Sequence, residues 1–434
     1  MTHKTNDMGN LPDGINQSSQ GFYGLGIAPK ILDILERIKF KVPTAIQSKA
    51  IPLAIQGKDI IGIAQTGTGK THSFAIPMVQ NLAQKKGIGL VLAPTRELAI
   101  QIDEAFQGLV HSFGIKTACL IGGASMYDQV QALRRNPRVV IATPGRFLDH
   151  VSQWNVLPDE VVILVLDEAD RMLDMGFAPQ IGKILRSLPK ERQTMLFSAT
   201  IPKEIMEIAA KHMKLPLSVE IAPSGTMAEN ITQELFIVKK EAKPQLLSKI
   251  LARYQGAILL FSRTKHNARK ITRAIKDMGH NAAEMHSDRS LPQRREALEG
   301  FKSGRYKVLV ATDIAARGID VTGIELVINY DLPEDAENYV HRIGRTGRAG
   351  HKGHAISFAT PDQSHDVRDI EKLIKTALPV SRHPGISTEQ FSSSSAQSAD
   401  KQSKYRYGQG RPRSFGSKGA SGSKFPPRKF YGSR

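Results

Sequence analysis

Two short stretches hold residue types that could do chemistry together. "AQTGTGKT" (64–71) follows the apolar run "DIIGIA" (59–64) and precedes "THSFAIPMVQNLA". Strand, Gly-rich turn and helix in that order suit a polyanion. Gly67 and Gly69 let backbone N–H groups turn inward onto phosphate oxygens, and the helix N-terminus adds its positive end. Lys70 has the reach for a β- or γ-phosphate, and the Thr71 hydroxyl suits Mg²⁺. The general pattern opens on Gly, and Ala64 stands there instead. The second stretch, "VVILVLDEAD" (161–170), runs six apolar residues into Asp167, Glu168 and Asp170. A buried strand is a poor place for carboxylates. At the strand's exit, beside a phosphate loop, Asp167 could hold Mg²⁺ and Glu168 could orient and deprotonate a water. A helix N-terminus stabilises acids through its dipole; that accounts for one of them, not three.

The elements that must position these residues follow from the apolar pattern. The runs at 59–64, 89–93, 117–121, 138–142, 161–166 and 194–198 alternate with helix-like stretches such as "ELAIQIDEAFQGLVHSF". Strands apolar on both faces, alternating with helices, predict a parallel sheet covered on both sides. The ends of such strands are where open α/β sheets bind ligands. The pattern pauses at "KLPLSVEIAPSGTMAEN" (214–230), then restarts with runs at 257–262, 281–287, 307–313, 324–331 and 354–360. The expected organisation is a disordered leader (1–20), a first α/β domain (21–216), a linker (217–230), a second α/β domain (231–378) and a low-complexity basic tail (379–434).

The chain of 434 residues carries 60 Lys and Arg against 41 Asp and Glu, a formal charge of +19. That balance favours a polyanionic partner. The last 34 residues hold ten Lys or Arg and no acid, interleaved with Tyr405, Tyr407, Phe415, Phe425, Phe430 and Tyr431. Basic and aromatic residues in alternation suit loose single-strand binding by phosphate attraction and base stacking. The N-terminus has no apolar signal core and no run spans a membrane, so a cytoplasmic, membrane-free protein is expected. Cys119 is the single cysteine, which fits a reducing compartment. The spacing around His280, His286 and His341 is not that of zinc ligands. Trp154 reads as a packing residue or a loop anchor, and Asp103 and Glu104 as a solvated helix face.

Taken together the motifs resemble a DEAD-box RNA helicase over residues 21–360. In order they are "FKVPTAIQ" (40–47), "AQTGTGKT", "PTRELA" (94–99), "GG" (122–123), "TPGR" (143–146), "DEAD" (167–170), "SAT" (198–200), "LLFSRT" (259–264), "ATDIAARGID" (311–320) and "HRIGRTGR" (341–348). Ala64 is what this family carries. The resemblance implies two RecA-like domains, ATP and Mg²⁺ as cofactors, and RNA as partner. It puts Phe40 and Gln47 on adenine, Thr66, Gly67, Thr68, Gly69, Lys70 and Thr71 on the phosphates, and Gly318 and Asp320 near the ribose. Thr71 and Asp167 would hold the metal. Catalysis would rest on Lys70, Asp167, Glu168 and two arginine fingers, Arg345 and Arg348. Thr95, Arg96, Gly123, Thr143, Arg146, Arg263, Arg294 and Thr312 would grip RNA, while Asp170, Ser198, Thr200 and His341 would couple the two ligands. The family holds roles in ribosome assembly, mRNA decay and cold adaptation. Two positions depart from its pattern: Lys39 stands for the usual Gly, and Leu291 for the usual Gln. A short basic tail on such a core is most similar to bacterial RhlE-type members. An ATP-gated RNA clamp or annealing protein and a DNA-directed motor are the alternative readings.

Overall fold

The computed structural model describes residues 21–64, 67–221, 231–316, 321, 323–347, 352–387 and 389–391. The leader, the segment 222–230, the tail from 392, and the site candidates Thr66, Gly318, Asp320 and Arg348 lie outside the described residues.

Seven strands make the first sheet: β1 (Ile60–Ile63), β2 (Ile88–Leu92), β3 (Thr117–Leu120), β4 (Val139–Ala142), β5 (Val161–Leu166), β6 (Gln193–Ser198) and β7 (Leu217–Glu220). Their spatial order is β3-β4-β2-β5-β6-β1-β7. Six make the second: β8 (Ile231–Ile237), β9 (Ala257–Phe261), β10 (Ala282–Met285), β11 (Val308–Ala311), β12 (Ile324–Asn329) and β13 (Gly353–Ala359), ordered β10-β11-β9-β12-β13-β8. All pairings within both sheets are parallel. Parallel neighbours need crossovers, and these place helices on both faces. β5 shows the result: Ile163 and Val165 pack into one core layer with Phe74 and Phe106, Leu164 and Leu166 into the other with Phe147 and Ile184. That is why "VVILVL" is apolar without a break. The α/β class with two covered parallel sheets, expected from the alternation, is what the chain adopts.

Two boundaries move. The linker was expected from 217, but β7 runs parallel to β1, with Ile61 opposite Ser218. Only Val219 of that strand is buried, so an edge strand without an apolar run escaped the pattern. The tail was expected from 379. Residues 379–381 and 389 instead lie along the edge of the second sheet. Leu235 N–H donates to the Pro379 carbonyl (2.8 Å), Ser381 N–H to the Leu235 carbonyl (2.8 Å) and Glu389 N–H to the Ile237 carbonyl (2.9 Å). Phe391 packs on the adjoining core. Backbone pairing, invisible in composition, covers an otherwise open strand edge.

The motifs land where the topology requires. The phosphate loop follows β1, "PTRELA" β2, "GG" β3, "TPGR" β4, "DEAD" β5 and "SAT" β6. All are at carboxyl ends, on one rim of the sheet.

Candidate active site and nucleic-acid interface

The phosphate loop turns on two glycines in the left-handed region, Gly67 (φ 85°) and Gly69 (φ 89°). A Cβ on Gly69 would lie 2.5 Å from Gln47 Nε2, so neither conformation nor space admits a side chain there. Lys70 opens the helix Lys70–Gln84 and donates from Nζ to the Ala64 carbonyl at 2.9 Å. Gln47 is used differently from expectation. It is 1 % exposed, its carbonyl accepts the Thr44 N–H (2.9 Å) and its amide donates to the Gly69 carbonyl (3.0 Å). It thus closes the capping box of the helix Ala45–Ile55 and braces the phosphate loop, leaving a single amide N–H for adenine. Phe40, partly exposed, stacks at 4.4 Å between centroids on His72, which the motif reading passed over.

Lys39 explains one departure. Its φ is 62°, in the left-handed region. A glycine suits that turn, and the lysine bears a backbone cost of ~1 kcal/mol.

The acids at the exit of β5 are all buried. Asp167 Oδ1 accepts the Glu168 N–H at 3.0 Å. Burial pushes the Asp167 carboxyl up to about 7, against the pull of Lys70 and with help from Glu168 and Asp170. Glu168 adopts φ 50°, ψ 52°, a strained backbone of the kind found where function over-determines geometry. Asp170 is the most connected of the three. Its Oδ2 accepts from the Ala199 and Thr200 N–H groups (3.0 and 2.9 Å) and from Thr200 Oγ1 (3.1 Å), while Ser198 Oγ accepts the Asp170 N–H (3.2 Å). "DEAD" and "SAT" are one hydrogen-bonded unit.

The donor set fits a metal–nucleotide. Three buried carboxylates stand beside two cations, Lys70 near Asp167 and Arg171 near Glu168, and are short of positive charge, which a divalent cation would bring. No cluster of three His, Cys, Asp or Glu side chains among the described residues is arranged to cage a metal. Mg²⁺ needs none, being held by one or two carboxylates with phosphate and water.

Arg171 and Arg342 were missed by sequence reasoning. Arg171 Nη1 lies 3.4 Å from Glu168 Oε2, both groups buried, though not aligned as a hydrogen bond. It lines a water-sized cavity of about 10 Å³ with Phe261, Asp313, His341, Arg342 and Arg345 of the second domain. Arg342 grips Asp313 with two bonds (2.5 and 2.7 Å) and gives Nη1 to Asn329 Oδ1 (3.2 Å) and the Asp331 carbonyl (2.6 Å). It ties "ATD" to "HRIGRTGR". A cation that is 2 % exposed must be paired; in sequence it is one arginine among several. Arg345, also buried, donates from Nε to the His341 carbonyl at 3.3 Å.

The other end of the first rim collects cations. Arg96 lies over the Gly122–Gly123 turn, where a Cβ on Gly123 would sit 2.2 Å from its Nη1. Arg146 Nη1 donates to the Ala124 carbonyl at 3.4 Å. The Arg96 guanidinium is held below its ordinary range, first by burial and next by Arg294, with Glu97 opposing and Arg146 adding. Such crowding suits a phosphate. Thr95, expected on RNA, is buried and its hydroxyl accepts the Leu98 N–H (3.2 Å) as a helix cap. Thr143 precedes the helix Pro144–Ser152 and is 9 % exposed. Arg294, expected free for RNA, pairs across the domains with Glu97 at 3.1 Å. On the second domain Arg263 donates to the Leu332 carbonyl (3.2 Å), and Thr312 N–H to the Met285 carbonyl (3.2 Å). Trp154, expected to pack or to anchor a loop, is 83 % exposed and so does not pack in the core, and Asp103, expected in solvent, is half-buried with its carboxyl raised by burial.

Residues 44–208 match the DEAD/DEAH box helicase family and residues 242–350 the helicase conserved C-terminal domain. The ATP-dependent rRNA helicase RRP3 of Scheffersomyces stipitis is 42 % identical over 367 residues, 84 % of this chain and 76 % of that protein. The ATP-dependent RNA helicase CshA of Listeria monocytogenes is 42 % identical over 360 residues, 82 % of this chain and 69 % of its own length. Among solved structures, S. cerevisiae Dbp5 bound to RNA and ADP BeF3 is 32 % identical, with a TM-score of 0.76 over 84 % of this chain and 96 % of that one. A DEAD box protein from Methanococcus jannaschii is 36 % identical with a TM-score of 0.52, covering 84 % of this chain and 100 % of that one. The chain therefore belongs to the DEAD-box helicases, built on two RecA-like domains. It is an ATP-dependent RNA helicase, an enzyme whose ATP hydrolysis depends on RNA.

Proposed function

We propose that the protein separates short RNA duplexes, or remodels RNA–protein complexes, through a cycle of domain closure. The observation that carries this is the cavity shared by Arg171, beside Glu168, and Arg345 of the other domain. A guanidinium can reach the γ-phosphate only when the domains meet, so chemistry and closure are linked. The high TM-score against an RNA- and nucleotide-bound relative supports a closed arrangement.

In this reading Gly67, Thr68, Gly69 and Lys70 hold the phosphates, with Thr66 beside them. Thr71 and Asp167 would hold Mg²⁺, which would supply positive charge to offset that of the phosphates. Glu168 orients the attacking water and takes its proton. Arg345 and Arg348 stabilise charge on the transferring group. Phe40 and Gln47 meet adenine; Gly318 and Asp320 meet the ribose. Arg96, Gly123, Thr143 and Arg146, with Arg263 and Thr312 opposite, hold phosphates and sugars and leave base edges unread. Asp170, Ser198, Thr200 and His341 carry the state of one site to the other. Closure bends the bound strand, a duplex cannot follow, and phosphate release reopens the cleft.

A cytoplasmic location fits the composition, and no described helix is long and apolar enough to cross a membrane. Ribosomal or mRNA-decay complexes are the proposed settings; the name of the RRP3 relatives favours rRNA. Membership of the RhlE-type group rests on the tail alone.

The test is ATP hydrolysis and strand displacement with single-stranded RNA or DNA as activator. RNA should stimulate strongly and DNA weakly. Lys70→Ala should abolish turnover, and Glu168→Gln should bind both ligands yet lose ~10²–10⁴-fold in rate. Strand displacement by Glu168→Gln at the parental multiple-turnover rate would replace the cycle with an RNA clamp or annealing activity.

A further inference from the structure

We infer that Leu291 is a positioning residue for domain closure, an apolar contact across the seam that holds the two RNA-binding surfaces in register. The inference rests on the closure cycle proposed above.

Leu291 is the first residue of the helix Leu291–Lys302 of the second domain. A capping box fixes this turn. Ser290 N–H donates to Gln293 Oε1 (3.0 Å), Gln293 N–H donates to Ser290 Oγ (3.4 Å), and Pro292 follows Leu291. A turn so constrained presents its side chains with little freedom.

Residues 291, 294 and 295 share one face of a helix, and all three bear on the first domain. The half-buried Leu291 side chain packs against the first domain's core cluster, which includes Leu98 and Ile102 of the helix Arg96–Val110. Arg294 pairs with Glu97 on that same helix at 3.1 Å, both side chains largely buried. The charge of Arg295 is felt at Cys119 in β3. The seam is thus an apolar contact beside a buried ion pair.

Its position gives it a consequence for binding. Glu97 directly follows Arg96, the cation over the Gly122–Gly123 turn. The Arg294–Glu97 contact on the first turn of that helix therefore lies next to Arg96. A buried ion pair adds little net stability, because desolvation offsets attraction. Apolar burial has no such offset and is not weakened by charge screening. Leu291, where the family pattern has Gln, therefore supplies closing free energy that a polar side chain would not.

The test is RNA affinity with and without a non-hydrolysable ATP analogue, in the full chain, for the parent, Leu291→Ala, Leu291→Gln and Leu291→Met. The parent should bind RNA more tightly with the analogue. Leu291→Ala should reduce that enhancement about three- to tenfold, the range for half-burying a leucine, and leave nucleotide-free RNA affinity within about twofold. Leu291→Gln should behave like Leu291→Ala, and Leu291→Met should restore the enhancement. In turnover, KM for RNA should rise and kcat at saturating RNA should hold. Equal weakening with and without the analogue would make Leu291 a direct RNA contact and overturn the proposal; so would an unchanged enhancement. If the parent itself shows no enhancement, the closure cycle fails and this inference with it. If the parent shows it and Leu291→Ala keeps it, only this inference falls.

Discussion

The two ends of the first sheet's rim are built with opposite imbalances. Around β5, β6 and β1, Asp167, Glu168 and Asp170 outnumber the two cations beside them, Lys70 and Arg171, and burial pushes the Asp167 carboxyl up to about 7. Around β3, β4 and β2, Arg96 is crowded by Arg294 and Arg146, with Glu97 alone opposing. One end is short of positive charge, the other of negative. Each lacks what its ligand brings: Mg²⁺ for the acids, phosphates for the arginines. The two ends also differ in wiring. The acidic end is cross-linked by short hydrogen bonds to Ser198, Ala199 and Thr200. The basic end is held by ion pairs and long contacts, Arg294 to Glu97 at 3.1 Å, Arg146 to Asp149 at 3.5 Å and Arg146 to the Ala124 carbonyl at 3.4 Å. A pre-wired end suits chemistry that needs fixed atoms; a loosely held one suits a sequence-blind grip on a strand.

Asp170→Ala should break the wiring most. It strands four buried or half-buried donors, the Arg171, Ala199 and Thr200 N–H groups and Thr200 Oγ1, and stability should fall by ~3–5 kcal/mol in urea unfolding, with loss of RNA stimulation. A parental midpoint would show the network to be incidental.

Asp167→Asn tests the acidic imbalance with the opposite sign. The carboxyl rises from 3.8 to about 7 on folding, so the folded state binds more protons than the unfolded one between those values. Asp167 therefore costs stability progressively as pH rises from about 4 to about 7, by up to ~4 kcal/mol above that window. The asparagine variant should be inactive yet more stable than the parent at pH 8, without nucleotide, and the gap should close near pH 4. A gap independent of pH would mean that Asp167 is ionised throughout.

At the basic end, Arg96→Ala and Arg146→Ala should each weaken RNA binding about tenfold at low salt and flatten the slope of log K against log salt by about 0.7. Folding stability should stay within ~0.5 kcal/mol. An unchanged slope would remove that arginine from the phosphate contacts.

The smallest effect lies outside both ends. Lys39→Gly should stabilise the chain by ~0.5–1 kcal/mol, read as a shift in thermal midpoint, without changing KM for ATP. A loss of stability would mean that the lysine side chain offsets its own strained backbone.

Much of this was legible in the sequence where pattern and covalent geometry coincide. The loop glycines, the apolar strand ending in acids and the alternation of elements all survive in three dimensions. What stayed hidden depends on partners distant in the chain. β7 buries only Val219, and Pro379, Ser381 and Glu389 are placed by backbone pairing with a strand far away in the chain. Gln47 was assigned by analogy to adenine, but Gly69, 22 residues away, takes its amide. Arg294 looked like a phosphate contact until Glu97 stood beside it. Arg171 and Arg342 carry ordinary residue types whose burial no local pattern announces.

The wholly parallel sheets bear on how the chain comes to fold. No strand can settle by closing a hairpin with its sequence neighbour. β1, which launches the phosphate loop, lies between β6 and β7, so its hydrogen bonds wait for residues 193–220. A growing chain that has already displayed "AQTGTGKT" for more than a hundred residues still has no nucleotide pocket, because the strand beneath it has no neighbours. Long-range pairing of this kind is slow and leaves apolar edges open meanwhile. During synthesis the first domain therefore depends on whatever shields nascent chains, and it gains ATP binding in one late step rather than by degrees.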